Sequence, residues 1–294
     1  MQINYGRFGR LALFGATMIW GTSFIILKST LDDMGTMWVL SMRFTLATLI
    51  LGFAAGKKLR KMDRQIVKGS IYMGLSLAAA YIVQTYGLFF TTPGKNSFLT
   101  SAYCVLVPFM AWGVYRRRPD ASNVIAAFLC LAGIGLVSLG EVISDINKGD
   151  LLTLGCGVFY ALQIIIMEQY VGKGDALSIS TVQFATAAII CWTGALLFET
   201  APGTVPSSTW FSIAYLGVMC TAVCFFLQAW GMKYVPSSTA AMILSLEAVF
   251  GTLFSVIFYH EQLTPKLLLG FALIFLSIII SEVKPKFHKG RQKV

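Results

Sequence analysis

Residues Leu11–Ser29 read LALFGATMIWGTSFIILKS, with a single charge, Lys28, near the end. A helix needs about 20 mostly apolar residues to cross the hydrocarbon layer of a bilayer, and this stretch has that length. Arg7 and Arg10 precede it, so it resembles a signal peptide, but no small-residue cleavage site follows. It reads as a retained first transmembrane helix.

The same signature recurs along the chain. Ten segments can be drawn, at 10–30, 35–55, 66–90, 95–115, 122–141, 150–170, 177–198, 208–232, 236–259 and 265–283. The joins are short and punctuated by proline and glycine, as at Thr92-Pro93-Gly94 and Ala201-Pro202-Gly203. No soluble domain fits between them. Composition agrees: 56% of the 294 residues are hydrophobic and 12% charged, about half the charge of a soluble domain.

The formal charge of +10 raises the question of nucleic acid, and its placement answers it. Lysine and arginine gather in alternate joins: Arg7 and Arg10, Lys57 to Lys68, Arg116 to Arg118, and the tail from Lys284 to Lys293. With the N-terminus in the cytoplasm, 18 of the 23 fall on the inner side and 4 on the outer. That is the positive-inside pattern of a membrane protein, and no nucleic-acid partner is expected.

Sliding the chain on itself by 140 positions lays Gly15 on Gly155, Trp20 on Tyr160, Arg43 on Gln183 and Phe44 on Phe184. At 144, Gln84 and Gly87 meet Gln228 and Gly231; at 143, Pro93 meets Pro236 and Phe128 meets Phe271. Five helices is an odd number, so the second copy enters from the opposite side. The expected fold is an all-α integral membrane protein of ten transmembrane helices in two inverted five-helix repeats, both termini cytoplasmic. Residues 1–145 form the first repeat, and 146–294 form the second with its basic cytoplasmic tail. Inverted repeats with a site between them at the midplane are a recurring plan of secondary transporters.

Polar groups at membrane depth each need a reason. Glu247, in Ser245-Leu-Glu-Ala248, can carry protons, balance an amine, or serve as a structural carboxyl. Arg43 can fork a carboxylate, snorkel outward or lock a helix end. Ser23 with Gln163, Gln84 with Gln228, and Arg43 with Gln183 fall at repeat-equivalent places, where a cavity would lie. The aromatics Trp20, Tyr81, Tyr86, Tyr103, Tyr160 and Trp230 cluster in the same zone and favour a small organic substrate over a bare ion. Pro108 and Gly251 are repeat-equivalent and weaken their helices, which marks them as hinges or as packing kinks.

Other chemistries find no support in the residues. The six cysteines all lie in apolar segments, so no disulfide framework is drawn. Cys220 and Cys224 share a helix face, but the two histidines, His260 and His288, lie outside the apolar segments; no metal site is expected. No Ser-His-Asp set, paired carboxylates or phosphate loop can be assembled, so an enzyme is not expected.

Several segments carry a resemblance to a known family: Ile19-Trp-Gly-Thr-Ser-Phe24, Phe98-Leu-Thr-Ser-Ala-Tyr103 through Val107-Pro108, and Ser245-Leu-Glu-Ala-Val-Phe250 running on through His260-Glu-Gln-Leu-Thr-Pro265 and Gly270. In order and spacing they resemble the EamA-type transporters of the drug/metabolite transporter superfamily. The resemblance implies ten helices around a central cavity, export of amino acids or related metabolites, and no cofactor. The expectation is an exporter in the cell inner (plasma) membrane, working as a monomer or homodimer. Its partners would be a small-molecule substrate, lipid and protons, with efflux of organic cations as the alternative substrate class.

Overall fold

The computed structural model describes residues 5–116, 118–138, 148–259 and 264–282, and every regular element among them is helical. In chain order these are α1 (Tyr5–Thr30), α2 (Thr36–Ala55) ending in a 3₁₀ turn (Gly56–Lys61), α3 (Arg64–Phe89), α4 (Pro93–Thr100), α5 (Tyr103–Tyr115), α6 (Ala121–Ser138), α7 (Lys148–Val171) and α8 (Ala176–Phe198). Then come α9 (Ser207–Gly217), a π-turn (Val218–Val223), α10 (Cys224–Met232), α11 (Ser237–Leu244), α12 (Leu246–Tyr259) and α13 (Pro265–Glu282). Among the described residues, eight spans are long and apolar enough to cross a membrane: α1, α2 with its turn, α3, α4–α5, α7, α8, α9–α10 and α11–α12. α6 and α13 carry shorter apolar runs, 121–133 and 268–277. Among the described residues, eight of the ten segments drawn from the sequence meet that length, and α6 and α13 stand at the other two. The chain termini, the 139–147 join, His260 and His288 lie outside the described residues.

The molecule is turned inside out relative to a water-soluble bundle. Its largest exposed side chains are apolar, among them Phe53 at 92%, Phe198 at 79% and Phe211 at 76%. Its interior holds Arg43, Gln84, Asn96, Gln163, Gln183 and Gln228, all buried. Lipid accepts the first set, and only neighbouring helices can hydrogen-bond the second. We call the end bearing Lys57, Lys58, Arg60, Lys61, Arg116 and Arg118 the basic end, and the other the far end.

The repeats pack through matched contacts. α2 runs along α8, α3 along α7, and α6 along α13, while α1 is wedged between α10 and α12. Glycines permit the closest crossings. A Cβ on Gly231 would lie 2.8 Å from the Gly9 carbonyl, and one on Gly87 would lie 2.9 Å from the carbonyl of Gly149; the second pair is the first carried to the other repeat. Likewise Gly74 abuts the Gln183 carbonyl and Thr186, where its counterpart Gly217 abuts the Arg43 carbonyl and Leu46. Gly74→Ala, whose Cβ would sit 2.5 Å from backbone, should lower stability by about 1–3 kcal/mol through overpacking. Gly15→Ala, with nothing within 4 Å, should not. Melting of the detergent-solubilised variants checks both.

α2 and α8 are clipped at each end. At the far end the Glu199 carboxylate accepts the N–H groups of Met37 (3.0 Å) and Trp38 (3.3 Å), orphan donors at the start of α2. At the basic end Lys58 pairs with Asp175 at 3.1 Å, and Asp175 itself caps α8 through the N–H of Ser178.

Two spans are broken near the middle, and at equivalent places. α4 gives way to α5 at Ser101–Ala102, and α11 to α12 at Ser245, with i→i−3 bonds tightening each break. The breaks meet, Ser101 Oγ donating to the Ser245 carbonyl at 3.4 Å. The discontinuities therefore do not fall at Pro108 or Gly251. Serine hydroxyls that bond nearby backbone offer the chain an alternative to the helical ladder, as Ser245 Oγ does with Met242 O at 2.7 Å. Pro108 stays inside α5, and Gly251 instead lets α12 approach Ser97 of α4.

Candidate functional site

Six rings occupy the centre in twofold arrangement. Phe44 stacks on its counterpart Phe184, centroids 5.9 Å apart. Phe44 meets Tyr81 edge-on at 5.3 Å, and Phe184 meets Phe225 edge-on at 5.2 Å. Trp20 meets Phe225 at 4.9 Å, and Tyr160 meets Tyr81 at 5.6 Å. Edge-to-face contacts at such distances suit the ring quadrupoles, and they make a stiff floor for what lies beside them.

Beside them is a cavity walled by Trp20, Ser23, Phe24 and Leu27 of α1, Arg43 of α2, Tyr81 and Gln84 of α3, and Tyr103 of α5. The second repeat contributes Tyr160, Gln163, Ile164, Phe225, Gln228, Leu244 and Glu247. Its volume is about 30 Å³, room for about one or two waters, so an organic solute enters only when the walls part.

Of the residues singled out in the sequence, Trp20, Ser23, Arg43, Tyr81, Gln84, Tyr103, Tyr160, Gln163, Gln228 and Glu247 meet here. Two others do not. Gln183 stands behind the wall, accepting from Gln163 Nε2 at 3.3 Å. Trp230 is turned by helix phase toward the basic end, its ring against Tyr234 at 5.5 Å. Tyr86 bonds Glu199 at the far end. The apolar walls Phe24, Leu27, Ile164, Phe225 and Leu244 were missed, since an apolar residue in an apolar span carries no signal by itself.

The polar groups divide by charge. Arg43 is 1% exposed. Its Nε donates to Thr221 Oγ1 at 2.9 Å, and its guanidinium carbon lies 4.6 Å from the Tyr81 ring centroid, a cation–π contact. Nη1 and Nη2 have no hydrogen-bond partner among the described residues. A buried guanidinium with two free parallel donors is costly to keep and suited to a carboxylate. On the acceptor side, Gln163 Oε1 and Gln228 Oε1 are likewise without partners. Gln84 differs, giving Nε2 to Thr100 Oγ1 (2.9 Å) and accepting the Tyr160 hydroxyl (2.7 Å).

Glu247 sits in the first turn of α12, just past the Ser245 break. A helix start favours an anion. Tyr103, in the first turn of α5, lines the same cavity. The cavity is thus dipolar, with a cation on α2 and a carboxyl on α12.

The two ends differ in closure. At the far end Lys28 donates to the carbonyls of Leu88 (2.8 Å), Phe89 (3.1 Å) and Thr91 (3.2 Å), closing the last turn of α3. Lys95 pairs with Asp150 at 2.7 Å, and Asp150 also accepts the Thr91 hydroxyl. At the basic end a second cavity of about 700 Å³ opens between Arg10, Pro108, Tyr115, Glu168 and Pro236–Thr239.

The chain matches the family model described as EamA-like transporter family over residues 7–139 and again over 147–282. An uncharacterized transporter of Archaeoglobus fulgidus is 32% identical over 283 residues, covering 93% of this chain and 85% of the relative. The Bacillus subtilis uncharacterized transporter YwfM is 26% identical, covering 97% of each chain. A solved structure titled only "Crystal structure of protein" shares the fold at a TM-score of 0.77 and 17% identity, covering 93% of this chain and 96% of that one.

Proposed function

The chain belongs to the EamA-like transporter family, and from that premise we propose that it exports small zwitterionic metabolites, amino acids foremost, by alternating access. The basic end is the cytoplasmic end of an inner-membrane protein with ten membrane passages, its termini inside. Substrate enters there, through the 700 Å³ opening. The bonds of Lys28 and the Lys95–Asp150 pair hold the outer end shut meanwhile.

The carrying observation is the pair of unpartnered donors on buried Arg43, in the same cavity as Glu247. A carboxylate on the Arg43 fork and an ammonium toward Glu247 and Gln228 fit both ends of an α-amino acid, whose side chain would lie on Trp20, Tyr81 and Phe225. Glu247 also couples transport to protons, since a carboxyl facing substrate in a dry cavity can trade a proton for the bound ammonium.

Efflux of organic cations is the second reading, with Glu247 as counter-charge and Tyr81, Tyr103 and Tyr160 as a cage. Arg43 disfavours it, because a fixed cation in so small a cavity repels another. Counterflow in proteoliposomes separates the two, with labelled amino acids on one side of the comparison and quaternary ammonium compounds on the other. Amino-acid exchange supports the first reading; exchange of the cations alone replaces it with the second.

A further inference from the structure

The twofold is broken between α3 and its counterpart α9–α10, and the break touches two polar recognition groups, Arg43 and Gln228. Gly74 and Gly217, matched by their contacts, are 143 positions apart. Further along the same helices Gln84 matches Gln228 and Gly87 matches Gly231, each 144 positions apart. The second repeat therefore has one extra residue in that interval. The interval contains the π-turn Val218–Val223, while α3 runs unbroken from Arg64 to Phe89. A single wide turn with i→i+5 pairing is how a helix absorbs one added residue without changing course.

The wide turn changes who bonds to whom. Thr221 Oγ1 donates to the Leu216 carbonyl, five residues back, at 2.8 Å. Its one proton is thereby committed, and its lone pairs face Arg43 Nε at 2.9 Å. With Nε held and one face over Tyr81, Nη1 and Nη2 are the donors left over. In the first repeat the counterpart of Thr221 is Leu77 or Ala78, neither of which has a hydroxyl, and the counterpart of Arg43 is Gln183.

The turn also offers the Cys220 carbonyl, which accepts Trp20 Nε1 at 2.7 Å. In the mirrored position Tyr160 gives its proton to Gln84 Oε1. The symmetric bond from Trp20 to Gln228 is not made, and Gln228 Oε1 is left without a partner.

We propose that the residue inserted in the second repeat, through its π-turn and Thr221, is the positioning element that turns a symmetric aromatic cavity into a polar one, aiming the Arg43 fork at a substrate carboxylate and keeping Gln228 Oε1 free for the ammonium. Thr221 acts through Arg43 and does not itself touch substrate. The inference rests on the reading of Arg43 as the carboxylate site.

The test is counterflow by the full-length protein in liposomes, with an equimolar mixture of labelled proteinogenic amino acids, for wild type, Thr221→Val and Thr221→Ser. Losing one hydrogen bond to a charged group predicts a rise of about tenfold in half-saturation for Thr221→Val, with maximal rate changed less than about twofold. Thr221→Ser, which keeps the hydroxyl, should retain the wild-type value. Half-saturation unchanged in a folded Thr221→Val protein overturns the proposal, as does a loss of maximal rate in Thr221→Val that Thr221→Ser shares.

If wild type exchanges no amino acid, the substrate reading fails, and ¹⁵N-arginine NMR in nanodiscs tests the positioning directly. The Arg43 Nε–H signal, assigned by its absence in Arg43→Gln, should exchange slowly in wild type and Thr221→Ser and about tenfold faster in Thr221→Val. Equal exchange in all three overturns it.

Discussion

Arg43→Gln should all but abolish amino-acid exchange while the protein stays folded. The substitution removes two donors that can each make a charge-assisted bond to a carboxylate. Each such bond is worth about 1.5–3 kcal/mol, so half-saturation should rise by about 100-fold or more. Folding should survive because the other repeat carries glutamine in the equivalent place: Gln183 is fully buried and accepts a hydrogen bond from Gln163. Removing an uncompensated buried cation can even raise stability. Proteoliposome kinetics beside a melting curve reads both effects. A variant that transports normally would show that Arg43 locks α2 to the π-turn and nothing more.

Glu247→Gln should flatten the dependence of transport on pH. Glu247 is 7% exposed and lines the cavity. The amide has the same shape, so the walls should stay in place. What it loses is the ability to exchange charge as substrate arrives and leaves. In wild type, uptake into vesicles should follow an imposed pH gradient; in the variant it should run at a rate set by the substrate gradient alone. An unchanged pH response would make Glu247 structural.

Much of this was legible in the sequence. Apolar length located the spans, because a bilayer imposes it. The offset of 140 positions paired Trp20 with Tyr160 and Phe44 with Phe184, and those pairs became the symmetric ring cluster. Buried polar residues stood out as Arg43, Gln84, Gln163, Gln228 and Glu247 because lipid leaves them no other reason to exist.

What stayed hidden depends on helix phase and on breaks. Trp230 turned away because helix rotation is set by packing against neighbours, which hydropathy does not encode. Pro108 drew attention as a hinge, yet its missing N–H is tolerated within α5, and the breaks came where serine hydroxyls engage the backbone. The segment drawn at 236–259 puts Glu247 in mid-helix; the Ser245 break puts it at a helix start instead. The π-turn left half a trace: Gln84 and Gly87 match their counterparts at 144, and the contacts of Gly74 and Gly217, 143 apart, complete it. Only the structure shows that it falls beside Arg43.

The most direct test of a dipolar substrate site is a comparison of three analogues in wild-type proteoliposomes: the best-exchanged amino acid, its decarboxylated amine and its deaminated acid. The account predicts exchange of the amino acid, with each analogue, lacking one charged end, exchanging about 100-fold less well. Exchange of the amine as fast as the amino acid would contradict it, because Arg43 would then have no carboxylate to hold.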